Sequence, residues 1–238
     1  MRTHFRYSLL ILPIVFIANV LVPSFLLAQT ILWDQQPDDP FSSGAVVNQE
    51  VPDLTEFSTY QVNDATFSTD VLVASVSLYF TDNTGTWPAF VTDGVLNIFD
   101  GNGLQPTDDP TTGGDFGVAN VNLDVFSIGN GILVLQATNL NIQLEAGTYW
   151  FGLTPLVESS FPQEFSINAE GPTVGQESMY RNPGGAFGLG TDWAPSGQLF
   201  DGFRDVSFTV AGEIVPEPNS AFVILLFGLG VACRRRQK

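Results

Sequence analysis

Apolar and polar residues alternate with a period of two along much of the chain. From Val71 to Phe80, the apolar positions Leu72, Ala74, Val76, Leu78 and Phe80 alternate with Val71, Val73, Ser75, Ser77 and Tyr79. Such alternation is typical of a β-strand with one buried face, because successive side chains point to opposite sides. It predicts that the first set faces the core. Further strands are predicted at 95–99, 119–125, 132–144, 148–153, 165–169 and 203–210.

These strands and the residues between them predict the fold class. After 119–125 the alternation changes phase at Phe126 and Ile128, which indicates a β-bulge or a strand end. No helical period of 3.6 residues is found between Gln29 and Val210, and the chain contains 23 glycines and 15 prolines. Seven or more short strands predict an all-β, antiparallel β-sandwich or jelly roll, and blade-length repeats of a propeller are absent. Residues 48–64 are either an edge strand or an extended surface segment.

The first 28 residues have the layout of a secretory signal peptide. Arg2 and Arg6 precede an apolar stretch from Tyr7 to Leu27, and Ala28 is a small residue at the expected cleavage point. Two prolines within the stretch argue against the alternative of an uncleaved anchor. We therefore expect cleavage after Ala28 and a single β-sandwich domain over residues 29–213.

The end of the chain consists of three parts. The strip Val215, Pro216, Glu217, Pro218 is stiff and extended, because proline fixes its own φ and restricts the preceding residue. An apolar run from Ala221 to Cys233 follows, and the chain closes with the basic residues Arg234, Arg235, Arg236 and Lys238. As a helix the run would rise about 20 Å, against roughly 30 Å of hydrocarbon core, so spanning needs flanking residues and snorkelling arginines. The arginines are a membrane stop on the cytoplasmic side, which places the preceding residues outside the inner membrane.

This order of parts resembles the PEP-CTERM sorting signal of bacterial exosortase substrates. The resemblance covers only the C-terminal end and implies that residues 214–238 are a sorting signal with a transmembrane helix. It further implies that an exosortase cleaves near Pro216 to Pro218 and passes the body outward after a transient stay in the inner membrane. From the residues alone, an ordinary C-terminal anchor that is never cut remains the alternative.

Part of the body also resembles the body domains of many exosortase substrates. The residues concerned are 144–153, the segment around Trp193, and 205–210. Those domains are similar to β-sandwich, carbohydrate-binding-like modules. The resemblance implies a fold and a surface role, and it carries over no catalytic residue.

The charge of the body excludes one class of partner. Residues 29–213 hold 24 acidic side chains, and their only basic residues are Arg181 and Arg204. A surface this negative repels phosphate backbones, so nucleic-acid binding is excluded. It also repels anionic polysaccharide unless divalent cations bridge the two. An acidic coat that keeps a secreted protein soluble is the simplest interpretation.

Missing residue types exclude most catalytic chemistry. The only histidine is His4, the only cysteine is Cys233 and the only lysine is Lys238, all in segments that we expect to be removed. The body therefore has no Ser-His-Asp triad, Cys-His pair, zinc site of usual composition, Schiff-base lysine or disulfide. Paired carboxylates for glycoside hydrolysis and oxygen-ligand metal sites remain available.

A glycine-rich acidic segment is the candidate metal site. Its oxygen-bearing residues are Asp100, Asn102, Asp108, Asp109 and Asp115. Ca²⁺ takes six to eight oxygen ligands in flexible geometry, so an oxygen-rich segment of this kind suits it. The spacing is not that of an EF-hand, and a plain Asp/Gly turn cluster explains the same residues. Asp34, Asp38 and Asp39 form a poorer candidate.

Exposed aromatic side chains are the candidate ligand-stacking surface. Most aromatics in a sandwich belong to the core, but Trp87 and Trp193 lie in turn-rich sequence and are predicted to be exposed. Flat aromatic faces pack against sugar rings, so either residue would suit carbohydrate binding.

These observations predict a secreted, non-enzymatic surface or extracellular-matrix protein that an exosortase sorts. Its expected partners are the exosortase, the inner membrane transiently, and extracellular polysaccharide. The first alternative is a carbohydrate-binding module, with or without Ca²⁺. The second is a carboxylate-dependent glycosidase, for which no pair can be chosen among the 24 acidic residues by sequence.

Overall fold

The structure, a computed structural model, describes residues 29–37, 45–81, 91, 93–101, 105–106, 109–157, 165–167, 174–200 and 205–215. The predicted signal peptide and the sorting signal beyond Val215 lie outside these residues, as do Trp87, Asn102 and Asp108. Within the described ranges, no helix has the length and apolar character needed to cross a membrane.

The described chain is mostly antiparallel β-sheet, which confirms the all-β prediction. Its strands are β1 Thr30–Gln35, β2 Ala45–Val47, β3 Tyr60–Phe67, β4 Val71–Thr81, β5 Asp93–Asp100, β6 Val118–Gly129, β7 Ile132–Ala137, β8 Ile142–Leu144, β9 Gly147–Pro155, β10 Phe165–Ile167, β11 Met179–Arg181, β12 Ala194–Pro195 and β13 Phe208–Ile214. The helical pieces among the same residues are the 3-10 turns Thr55–Phe57 and Pro110–Thr112 and the four-residue helix α1, Ser196–Leu199.

The strands form a continuous sheet that folds into two layers. Its order is β1-β13-β4-β7-β6-β5-β9-β3-β11-β12, with β8 also paired to β4, and β10 paired to both β2 and β4. The long strand β6 joins the layers, because its first half pairs with β5 and its second half, from Leu123, pairs with β7. The result is a sandwich-like body.

The main core lies between the two layers. Apolar side chains of β4, β7 and β13 pack against those of β3, β5 and β9. Phe151 of β9 stacks on Phe208 of β13 with ring centroids 6.2 Å apart. Full burial of such a side chain contributes about 1.5–3 kcal/mol, and this contact is one of many between the layers.

Both faces of β9 are buried. Tyr149 and Phe151 belong to the main core, whereas Trp150 lies on the opposite face in a second cluster with Phe99 and Trp193. The segment that carries β11 and β12 supplies part of this second cluster. Alternation along β9 therefore does not separate a buried face from an exposed one.

The predicted phase of β4 is wrong at its start and right at its end. Val71 and Val73 face the main core, where Leu72 and Ala74 were expected, whereas the later apolar positions follow the prediction. The cause is a β-bulge at Ala74, which has no partner in the register with β13. One unpaired residue reverses which side chains face the core.

Other strand boundaries also differ from prediction. The strand predicted over 132–144 is two strands, separated around Asn139, which has a φ of 56°. The strand predicted over 203–210 begins at Phe208 and continues to Ile214. Within 48–64, β3 begins at Tyr60 and is an inner strand between β9 and β11. The predicted irregularity in β6 is confirmed, because Ile128 has no partner in the register with β7.

Candidate functional site

The carboxylates of Asp109 and Asp115 accept hydrogen bonds from backbone and side-chain groups of the surrounding turn. Asp109 Oδ1 accepts hydrogen bonds from Thr111 N at 2.9 Å and from Thr111 Oγ1 at 2.8 Å. It therefore caps the 3-10 turn Pro110–Thr112, where unpaired backbone N–H groups favour an aspartate. Asp115 Oδ2 accepts from Asp100 N at 2.9 Å and closes the same stretch against β5.

This geometry favours the turn-cluster interpretation over a calcium site. Two of the five predicted ligands, Asn102 and Asp108, lie outside the described residues. Among those that are described, no group of three or more His, Cys, Asp or Glu side chains is placed to hold a metal ion. Two of the three described carboxylates in the segment, those of Asp109 and Asp115, instead accept hydrogen bonds from the chain itself.

The exposure predicted for Trp193 is wrong. Its side chain is only 7% exposed, and it meets Phe99 edge-to-face with ring centroids 5.8 Å apart. The turn-rich segment around Trp193 folds back on the sheet, so its indole is part of the second cluster. A stacking surface needs an open face, which Trp193 does not offer.

A cavity of about 550 Å³ lies beside the acidic segment, where β5 ends and β9 begins. We call it the Phe116 cavity. It is lined by Asp100, Phe116, Gln143, Glu145, Ala146, Gly147, Thr148 and Tyr149. Its lining combines aromatic rings, carboxylates, an amide and the hydroxyls of Thr148 and Tyr149.

The backbone fixes Phe116 in place. Phe116 N donates to Ile98 O at 3.0 Å, and Ile98 N donates to Gly113 O at 3.0 Å, so the loop pairs with β5. Gly117 allows this approach, because a Cβ there would overlap the carbonyl oxygens of Leu96 and Gly113. The Phe116 side chain is 40% exposed, so part of its ring is open to solvent while its backbone is fixed against β5.

Tyr149 forms the buried side of the cavity. Its ring meets Phe116 edge-to-face at a centroid distance of 5.6 Å, and its hydroxyl donates to Glu145 O at 3.1 Å. Burial raises the pKa of the Tyr149 hydroxyl, and the charges of Asp100, Glu145 and Asp70 raise it further. Tyr149 therefore stays neutral and acts as a packing residue.

The opposite rim of the cavity is also tied to the sheet. Ala146 N donates to Asp70 Oδ1 at 3.0 Å, and the hydroxyls of Thr148 and Thr66 are 2.8 Å apart. Gln143 and the Glu145 side chain are exposed. The cavity thus has fixed walls and exposed polar groups that accept or donate hydrogen bonds.

Sequence reasoning missed Phe116, although a signal for it was present. Phe116 lies between glycines in Gly113-Gly-Asp-Phe-Gly117, the same turn-rich context that drew attention to Trp87 and Trp193. The position of Tyr149 beside Asp100 follows from strand pairing, because Asp100 of β5 pairs with Tyr149 of β9.

The ends of the body come together in the structure. Thr30 of β1 pairs with Gly212 of β13, so the first and last strands are neighbours. Val215, the first residue of the predicted sorting motif, still belongs to the body, since its N–H donates to Asp70 O at 2.9 Å.

Comparison with known proteins does not assign the chain to a family. No family model matches the chain, and no curated protein matches it. The cavity and the terminal strands are therefore interpreted from their own geometry and chemistry.

Proposed function

We propose that this chain is a secreted, non-enzymatic protein of the cell surface or extracellular matrix, sorted by an exosortase. The observation that carries the proposal is the C-terminal order of the Pro216-Glu217-Pro218 strip, an apolar run and a basic end. In this proposal an antiparallel β-sandwich or jelly roll lies between a cleaved signal peptide and a transmembrane helix. The exosortase is the processing partner, and the protein is its substrate.

The positions of the terminal strands support this route. The signal peptide would end at Ala28, two residues before Thr30, and the sorting strip begins at Val215, three residues after Gly212. Because Thr30 and Gly212 are paired, both membrane-directed segments leave the body at neighbouring points. The uncleaved precursor would therefore have both membrane-directed segments on the same side of its body.

The composition of the body supports a non-enzymatic role. Residues 29–213 contain no histidine, cysteine or lysine, so the nucleophiles and bases of most hydrolases are missing. Asp109 and Asp115 have structural hydrogen-bond partners in their turn. A surface protein needs only a stable fold and a soluble exterior, and the acidic coat supplies the latter.

Replacement of the two prolines tests the sorting proposal. Pro216→Ala with Pro218→Ala removes the stiffness of the strip, and we expect the membrane-anchored precursor to accumulate in a pulse-labelling experiment. The matched control is Pro52→Ala with Pro183→Ala, two exposed prolines of the body, which should leave processing unchanged. Unaltered processing and release of the first double variant would show that the sorting interpretation is wrong.

Carbohydrate binding is the second candidate function, and the Phe116 cavity favours it. An exposed aromatic ring beside hydrogen-bonding side chains is a suitable surface for a sugar. The released protein should then bind one or more glycans in a glycan array, with or without added Ca²⁺. Depolymerisation of a bound glycan, abolished by single Asp or Glu substitutions, would instead support the glycosidase alternative.

A further inference from the structure

We propose that the Phe116 cavity binds a neutral saccharide, with the Phe116 ring as the stacking surface and Asp100, Gln143 and Glu145 as the hydrogen-bonding groups. This inference rests on the carbohydrate-binding candidate above and gives it a site and a ligand class.

Phe116 has the two properties that a stacking residue needs. Its ring is 40% exposed, and the backbone hydrogen bonds to β5 hold it in position before any ligand arrives. The ring also makes an edge-to-face contact with Tyr149, with centroids 5.6 Å apart. A rigid exposed ring loses little conformational freedom on binding, which favours affinity.

The polar lining matches a ligand that carries many hydroxyl groups. Ionised carboxylates accept hydrogen bonds, so the exposed side chains of Asp100 and Glu145 can accept from sugar hydroxyls in place of water. Hydrogen bonds to a charged acceptor are stronger than neutral ones, by roughly twofold. The amide of Gln143 both donates and accepts, so it suits a hydroxyl in either role.

Charge and size narrow the ligand class. The two cavity carboxylates belong to a chain of net charge −17, which disfavours uronates and other anionic sugars. A cavity of about 550 Å³ is within the range of roughly 300–1,000 Å³ that small-molecule sites occupy. This volume exceeds what a single ammonium group would fill. A sugar ring with several hydroxyls can contact Phe116 and the polar lining residues together, whereas a simple amine cannot.

The test measures binding of the full-length solubilised chain to defined probes. The neutral probes are glucan, mannan and galactan tetrasaccharides; a galacturonan tetrasaccharide and choline represent the anionic and cationic alternatives. We expect at least one neutral probe to bind, and Phe116→Ala to weaken that binding by at least about tenfold. Phe126→Ala is the matched control, since Phe126 is a 43% exposed phenylalanine on β6 outside the cavity, and its affinity should stay within about twofold.

Glu145→Gln provides a second, independent variant. Its side chain is exposed, so the substitution keeps the fold while it removes one charged acceptor. We expect a loss of about threefold or more in affinity for the same neutral probe. This variant decides the matter if Phe116→Ala does not fold, as judged by circular dichroism.

The outcomes separate the site from the function. Binding of a neutral probe that neither Phe116→Ala nor Glu145→Gln weakens would overturn the site and leave carbohydrate binding in place. Preferential binding of galacturonan would overturn the neutral class, and preferential binding of choline would overturn the saccharide. Failure of all four tetrasaccharides together with a silent glycan array would remove both the site and the carbohydrate-binding candidate.

Discussion

At the scale of single residues, the acidic coat has two buried exceptions among the described carboxylates, Asp64 and Asp205, and Asp205 has the larger consequence for pH dependence. It is 3% exposed and lies just before β13. Its Oδ2 accepts from Gln35 Nε2 and Val174 N, and its Oδ1 accepts from Ser178 N, each at 3.1 Å. One buried carboxylate therefore ties β1 and the segment before β11 to the body.

This burial has an energetic consequence. Desolvation raises the pKa of Asp205 to about 6; its hydrogen bonds lower it, and the charge of Asp64 raises it. The folded protein thus binds this proton more tightly than the unfolded chain, whose aspartates titrate near pH 3.9. The resulting stabilisation is fully present below the unfolded pKa and is lost as the pH rises through about 6.

We therefore predict that stability increases on mild acidification. Between about pH 7.5 and about pH 4.5, the Asp205 contribution to the free energy of unfolding should rise by about 2 kcal/mol. In Asp205→Asn this increment should disappear, because asparagine does not titrate. Urea unfolding of both proteins at several pH values gives the difference directly.

The exposed Asp192 provides the control for that experiment. Asp192→Asn should keep the pH dependence of the wild type, since its side chain is not buried. An unchanged slope in Asp205→Asn would contradict the assignment and move the effect to Asp64 or Glu50, whose pKa values burial also raises.

Two aromatic residues show that the neighbouring sequence does not predict whether a side chain is exposed. Trp193 and Phe116 both lie in turn-rich sequence, yet one is buried and the other is 40% exposed. The difference arises because the Trp193 segment folds over β5 and β9, whereas the Phe116 loop is held along β5 at the edge of a cavity. Neither arrangement is encoded in the neighbouring residue types.

At the scale of elements, alternation succeeds where a strand buries one face. Val121 and Leu123 of β6 enter the core as predicted, and the intervening polar residues are exposed. Alternation fails for β3, because Gln61, Asn63 and Asp64 are polar and yet buried. Asn63 Nδ2, for example, donates to Gln35 Oε1 at 3.2 Å and to Val206 O at 3.3 Å, partners that are distant in sequence.

The bulge between β4 and β13 requires glycine at position 212. A Cβ on Gly212 would overlap the Leu72 carbonyl oxygen. We predict that Gly212→Ala lowers the free energy of unfolding by at least about 2 kcal/mol, because the paired strands must separate locally. Urea unfolding monitored by tryptophan fluorescence measures the loss.

Gly147→Ala is the matched control within a strand. A Cβ on Gly147 would first meet the Tyr149 ring at 3.5 Å, an ordinary contact distance. The free energy of unfolding should change by less than about 1 kcal/mol. Equal losses in the two variants would mean that the bulge does not constrain position 212.

At the scale of the whole molecule, the pairing of β1 with β13 brings the two ends of the body together. Ile31 is opposite Ala211 in the register of these strands. Directly opposed residues in an antiparallel pair have Cβ atoms about 4.5–5.5 Å apart, which is close enough for a disulfide with small adjustment.

We predict that Ile31→Cys with Ala211→Cys forms a disulfide after export. The crosslink should increase mobility on a non-reducing gel, and reduction should reverse the shift. Ile31→Cys with Ile214→Cys is the control, because Ile214 is exposed but is not opposite position 31. Efficient crosslinking of the control pair, or none in the first pair, would contradict the observed register.

The amino-acid sequence by itself determined the all-β class, because period-two alternation is a local property of each strand. It also determined that residues 29–213 have no imidazole, thiol or amine side chain for catalysis, because the fold can only arrange the residue types that the sequence contains. Only the tertiary structure decided the bulge that reverses β4, the burial of Trp193 and the meeting of Phe116, Asp100 and Glu145 at one cavity. Each depends on contacts between residues far apart in the chain, whose free energies are set by register and layer packing.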